Sequence, residues 1–92
     1  MLKIIKIYKK FYLYYEEETW TPVQPYTQDC YRICDLINIS FTDYSNIVKS
    51  YNGKFYSNNG GFCWHSFSNK KDIQKAFEIL ESYIVMDKLL GE

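Results

Sequence analysis

The sequence predicts an α+β domain, a small antiparallel sheet with helices packed on one face, and three patterns predict it. Residues 2–15, LKIIKIYKKFYLYY, alternate as an extended chain does; Asn58-Asn59-Gly60-Gly61 separates two aromatic runs; and a stripe of apolar residues at helical spacing runs from Ile73 to Ile84. The chain order these patterns imply is β-α-α-β-β-α. At 92 residues the chain has no room for a second independent core, so 1–92 reads as a single domain.

In the first segment Ile5, Ile7, Phe11, Leu13 and Tyr15 fall on one side of an extended chain, which predicts one long strand. A hairpin turning at Lys9-Lys10 is the alternative, but Gly, Asn and Asp, the residues of tight turns, are missing there. Helix is a weaker alternative still. Glu16-Glu17-Glu18 ends the strand, and Thr19–Thr27, interrupted by Pro22 and Pro25, reads as a loop carrying Trp20 and Tyr26.

Beyond the loop, Cys30, Ile33, Cys34 and Ile37 recur at helical spacing behind Thr27 as N-cap, predicting a short helix to Asn38. A second helix begins after Ser40, where Ser40-x-x-Asp43 resembles a capping box; its stripe is Tyr44, Ile47, Val48 and Tyr51, and Asn52-Gly53 ends it. Lys54–Ser57 and Phe62–Phe67 form a hairpin around the Asn-Asn-Gly-Gly segment. Ser68 or Asn69 caps the last helix, with Ile73, Ala76, Phe77, Leu80 and Ile84 inward and Gly91 as its stop. The expected core comprises Ile5, Ile7, Leu13, Ile33, Ile47, Phe55, Phe77, Leu80 and Ile84.

Composition narrows the function classes. Eleven basic residues balance eleven acidic ones, so no overall field draws the chain to nucleic acid or an anionic membrane. Lysines interrupt the apolar N-terminal stretch, which is therefore neither a signal peptide nor a membrane span, and the expected compartment is the cytosol. An odd cysteine count fits that compartment, with all three thiols expected to stay reduced and unbridged.

Cys30-x-x-x-Cys34 with Cys63-x-His65 is a legitimate tetrahedral zinc set by residue type. Against zinc, Cys30 and Cys34 lie on the stripe that Ile33 and Ile37 mark as core, and free Cys packs well in cores, so no metal and no cofactor are expected. A thiol–imidazole nucleophile pair lacks a third orienting group. The carboxylates make no acid/base or metal motif, and no G-x-x-x-x-G-K or G-x-G-x-x-G loop is present. The chain reads as a non-enzyme.

Tyrosine is the positive signal. The aromatic share is 20%, with ten Tyr, more phenols than a small core can satisfy, so several belong at the surface, where Tyr and Trp anchor protein interfaces. Tyr12, Tyr14, Trp20, Tyr26, Tyr56 and Trp64 are the candidate partner-binding residues. A protein partner is expected; a homodimer is compatible with the same residues. Lys3, Lys6, Lys9 and Lys10 interleaved with Tyr8, Phe11, Tyr12 and Tyr14 supply the alternative, a nucleic-acid strand stacked on the rings.

Arg32 is the one Arg and Ala76 the one Ala, while Ile, Lys, Asn, Tyr and Phe abound, the residue set that AT-rich codons favour. In size, neutrality, this composition and the lack of a catalytic motif, the chain resembles the small proteins of phages and mobile elements that inhibit host defence, anti-CRISPR proteins among them; toxin-neutralising immunity proteins share the profile. What the resemblance implies is occlusion: a preformed surface with a few aromatic anchors blocks the working site of a host protein, without a cofactor.

Overall fold

The computed structural model describes residues 1–16 and 26–90, with the side chains of Tyr26 and of residues 85–90 excepted. In chain order the elements are β1 (Leu2–Ile7), β2 (Lys10–Glu16), β3 (Tyr26–Thr27), α1 (Cys30–Ile37), α2 (Phe41–Ser50), β4 (Lys54–Ser57), β5 (Cys63–Phe67) and α3 (Lys70–Leu90). The class is α+β, as the sequence predicts. The sheet is antiparallel in the order β1-β2-β5-β4, with the short β3 paired to the end of β2. The helices cover one face: the buried strand residues Leu2, Leu13, Cys63 and Phe67 join Ile33, Ile37, Tyr44, Val48, Ile73, Ala76 and Leu80 in one cluster.

The predicted long first strand is two strands. The chain reverses at Tyr8-Lys9, one residue before the Lys9-Lys10 position that the sequence offers as an alternative, and Ile7 then pairs with Lys10. The reversal needs positive φ, and Tyr8 adopts it at 60° although glycine usually fills such a position. Ladder formation over the whole length of β1 outweighs that local preference.

The reversal corrects the expected core. Side chains alternate along a strand, and the register Leu2↔Tyr15, Ile4↔Leu13 and Lys6↔Phe11 sets the even residues of β1 beside the odd residues of β2. Leu2 and Ile4 therefore face the helices, while Ile5 and Ile7 lie on the outer face at 38% and 45% exposure. Phe55 is also exposed, at 43%, because β4 is an edge strand. Leu13, Ile33 and Leu80 are buried as expected; Ile47, Phe77 and Ile84 pack against the core half-buried.

Local chemistry explains the remaining boundaries. Asp29, not Thr27, caps α1: its side chain accepts from the Arg32 N–H at 3.0 Å, and the Thr27 hydroxyl accepts from the Asp29 N–H at 3.1 Å. Tyr26–Thr27, read from sequence as loop, pairs with Glu16 and Tyr15 as β3. Ser40 caps α2 by accepting from the Asp43 N–H at 3.1 Å. At the other end Asn52 takes the left-handed φ of 67°, while Gly53 is required for closeness, since a Cβ there would come within 2.9 Å of the Val48 carbonyl oxygen and 3.0 Å of Phe67 Cζ.

In the β4–β5 hairpin the Asn58 side-chain oxygen accepts from the N–H groups of Gly60 and Phe62 at 2.9 and 3.0 Å, and Gly61 has φ 84°. Asn69 starts α3, its side-chain oxygen accepting from the Lys71 N–H at 2.7 Å. Gly91, the expected stop, lies outside the described residues.

The Tyr8 turn yields a test. Tyr8→Gly relieves a left-handed residue without touching the core, so it is expected to raise unfolding stability by roughly 0.5–1 kcal/mol, read from the urea midpoint. A lowered midpoint would mean that the Tyr8 side chain, which lies 5.8 Å from the Lys9 ammonium, contributes more than its backbone strain removes.

Candidate functional site: the open aromatic face of the sheet

The alternation that buries Leu13 and Phe67 turns Tyr12, Tyr14, Trp64 and Tyr56 to the opposite face, which no described element covers. On β2, Tyr12 pairs with Ile5 on one side and Ser66 on the other, and Tyr14 pairs with Lys3. On β5 and β4, Tyr56 and Trp64 are directly opposed, with ring centroids 6.0 Å apart and planes 17° from parallel. Phe62 leans on Trp64 at 5.7 Å, extending the aromatic row past the end of β5. Ser66, between Tyr12 and Lys54 in the register, is buried among these longer neighbours.

Four candidates named from the sequence thus share one surface. Trp20 lies outside the described residues, and Tyr26 opens β3 opposite Glu16, its side chain likewise outside them. Sequence reasoning missed Ile5, Ile7 and Phe62, which add aliphatic and aromatic area to the same face. The parity change at the Tyr8 turn would have found the two isoleucines, had the turn been legible.

The charges of this face lie at its margins. Lys3 forms an ion pair and hydrogen bond with Glu16; that contact raises the Lys3 pKa and lowers that of Glu16, chiefly through the hydrogen bond and then through the opposite charge. Lys10 donates to the Ser68 hydroxyl at 2.8 Å. Lys6 is on the helix side of β1, its ammonium 5.6 Å from the Phe11 ring centroid.

The opposite face holds the residues that suggested zinc. Cys30 and Cys63 form a disulfide with Cα atoms 5.8 Å apart, which corrects the expectation of three free thiols. The partner of Cys30 is not Cys34, one turn away on the same helix, but Cys63, which arrives from β5, 33 residues on. Asp29 ties the same two elements, its second carboxylate oxygen accepting from the Cys63 N–H at 3.1 Å. Cys34 remains a buried free thiol, pushed up to about 12 by burial and then by the charges of Asp35 and Asp29, so it is not a nucleophile at neutral pH. Among the described residues no group of three or more His, Cys, Asp or Glu side chains is placed to hold a metal ion.

His65 is buried between Tyr44 and Phe55, with ring centroids at 5.6 and 5.3 Å, and neither ring nitrogen has a hydrogen-bond partner. Burial, and secondarily the Lys49 charge, lower its pKa to about 4, so the imidazole is neutral and packs as a flat apolar group. An open hollow of about 780 Å³ runs along the first turns of α3, ringed by Lys70, Lys71, Lys75 and Glu78.

No described helix is long and apolar enough to cross a membrane. Comparison of the chain with protein-family models, curated proteins and solved structures finds no match.

Two predictions come from the buried cluster. Removing the bridge by replacing Cys30 and Cys63 with Ala is expected to destabilise the domain by roughly 3–4 kcal/mol, the chain-entropy value for a loop of this length; a loss under about 1 kcal/mol in chemical denaturation would show that the bridge restrains little. The His65 pKa is lower in the folded chain than in the unfolded one, so protonation favours unfolding. Stability present above pH about 6.5 should therefore fall by a few kcal/mol as pH drops toward about 4. His65→Leu should flatten that window in urea titrations at successive pH values and be neutral or stabilising at pH 7, because it removes two unpaired nitrogens. An unchanged slope in the variant would assign the pH dependence to other groups.

Proposed function

We propose that this domain acts by stoichiometric binding of a protein partner, through the open sheet face carrying Tyr12, Tyr14, Tyr56 and Trp64. The observation that carries the reading is the convergence of these rings, with Ile5 and Ile7, on one surface that no described element covers, since rigid amphipathic Tyr and Trp side chains lose little entropy on binding and dominate interface energies. Their alignment on paired strands preorganises them before the partner arrives.

The class of partner we propose is a bacterial defence protein or toxin, blocked by occlusion as small phage inhibitors and immunity proteins block theirs; size, zero net charge and AT-biased composition support this. The mechanism includes no catalytic step and no cofactor. Residence in the cytosol belongs to the same proposal. The Cys30–Cys63 bridge weighs against that compartment, because disulfides are rare where glutathione keeps thiols reduced; burial of both residues slows reduction of a bridge once formed.

A single nucleic-acid strand is the second reading, favoured by Lys10 and Lys54 on the same face as the rings. Neutralisation of Lys3 by Glu16 and the balanced net charge weigh toward a protein.

The deciding experiment is affinity capture from the native host after nuclease treatment. The wild-type domain is expected to retain a protein in a fixed molar ratio. Trp64→Ala with Tyr56→Ala should weaken that contact by about 2 kcal/mol or more, roughly thirtyfold, with helix content unchanged in circular dichroism. Retention of nucleic acid alone would move the reading to the second alternative, and multiple turnover of any substrate would reject stoichiometric binding altogether.

A further inference from the structure

Among the described residues the sheet has a second surface without a partner, continuous with the aromatic face. β1 is an edge strand, and its only described strand neighbour is β2. Met1 and Glu16 exchange backbone hydrogen bonds in both directions. In an antiparallel ladder such doubly bonded pairs alternate with unbonded ones, so Lys3, Ile5 and Ile7 spend their backbone groups on β2, while Leu2, Ile4 and Lys6 aim their N–H and C=O groups away from it. No hydrogen bond among the described residues uses those outward groups. The side chains of Leu2 and Ile4 pack into the core, which holds this row of donors and acceptors straight.

Edge strands of this kind invite pairing, and proteins blunt them with lysine. β1 and its turn carry Lys3, Lys6 and Lys9, Lys10 opens β2, and no carboxylate occurs between Met1 and Tyr15. Lys3 is neutralised by Glu16 and the Lys10 ammonium is turned toward Ser68 beyond β5, so the unpaired side-chain charge of this edge gathers at the turn end, on Lys6 and Lys9. β4, the other edge, offers four residues against six in β1, with one lysine.

We propose that the β1 edge accepts an extended segment of the protein partner as an added antiparallel strand, and that this segment begins with acidic residues, which lie beside Lys6 and Lys9. The inference rests on the protein-binding reading above and names the chemistry of the partner. Backbone bonding to Leu2, Ile4 and Lys6 supplies affinity that is independent of sequence; the lysine end supplies selectivity and direction, since an antiparallel strand starts at the turn. Alternate side chains of the added strand extend the outer face beside Ile5 and Ile7, joining the edge to the aromatic surface.

The test uses the whole domain, isotope-labelled for amide exchange, and two blocked synthetic peptides: Glu-Glu-Glu followed by alternating Val and Thr, and the same peptide with Lys for Glu. The acidic peptide is expected to slow exchange at Leu2, Ile4 and Lys6 by about tenfold or more at saturation, with β4 unaffected, and to bind at least about tenfold more tightly than the basic peptide at low salt. Lys6→Pro removes an outward donor without breaking a β1–β2 bond and should abolish that protection, whereas Lys6→Ala, which keeps the N–H, should weaken it by only a few-fold.

Equal affinity for the two peptides, protection at β4 instead, or retained protection in Lys6→Pro overturns the proposal. So does concentration-dependent protection of the same amides without peptide, which would make the occupant a second copy, or displacement of the acidic peptide by oligo(dT). A captured host protein that is lost with Trp64→Ala and Tyr56→Ala but kept by Lys6→Pro overturns the edge and leaves the sheet-face reading standing; one kept by both variants overturns the sheet-face reading as well.

Discussion

The reversal at Tyr8-Lys9 is the constraint on which the rest of this structure depends. Side chains alternate faces with a period of two, so the register set by a tight turn decides which half of each strand is buried. Here it pairs Ile4 with Leu13 and Ile5 with Tyr12, sending the first pair to the helices and the second to the outer face. An uninterrupted strand would place Ile5 and Ile7 with Leu13 in the core. The reversal also makes β1 an edge and gathers Lys6, Lys9 and Lys10 at one end of it. Left-handed backbone at a tyrosine is unfavourable by about 1 kcal/mol, which the ladder and the burial of Leu2 readily offset.

On the other face a second constraint holds the helices in register with the sheet. Asp29 and Cys30 are adjacent residues at the start of α1, and each is joined to Cys63, one by a carboxylate–amide hydrogen bond and the other by a disulfide. Two links between the same points fix orientation as well as distance. One consequence is the environment of His65, two residues along β5 on the same face. It is enclosed by Tyr44 and Phe55 without a polar partner, so the chain tolerates unsatisfied nitrogens in exchange for a well-filled core, and its stability becomes sensitive to mild acid.

The two faces divide the work. The inner face supplies nearly all the aliphatic burial, while the outer face collects rings that no described element covers. Tyr12 and Tyr14 are only half-buried by their strand neighbours, and Tyr56 is supported by stacking on Trp64. A partner that covers this face completes the desolvation that folding leaves unfinished, and desolvation of aromatic anchors is where interface energy concentrates. Charge at the margins sets direction more than affinity.

What the sequence by itself determined is local. The stripes of α1, α2 and α3, the Ser40 cap and the Asn58 hairpin are legible because each rests on residues within a turn or two of one another, where periodicity and side-chain-to-backbone bonding act. The aromatic residues of the candidate site were legible as types, since ten tyrosines exceed what a small core can hold. Their sharing of one face was not, nor was the exposure of Ile5 and Ile7, because both depend on a turn made without Gly, Asn or Asp and on the register that follows from it. The Cys30–Cys63 bridge was equally hidden, since residues 33 apart meet only once α1 has docked on β5. Local periodicity states that a strand has two faces; long-range pairing against β2 and the helices alone decides which of them is turned to the solvent.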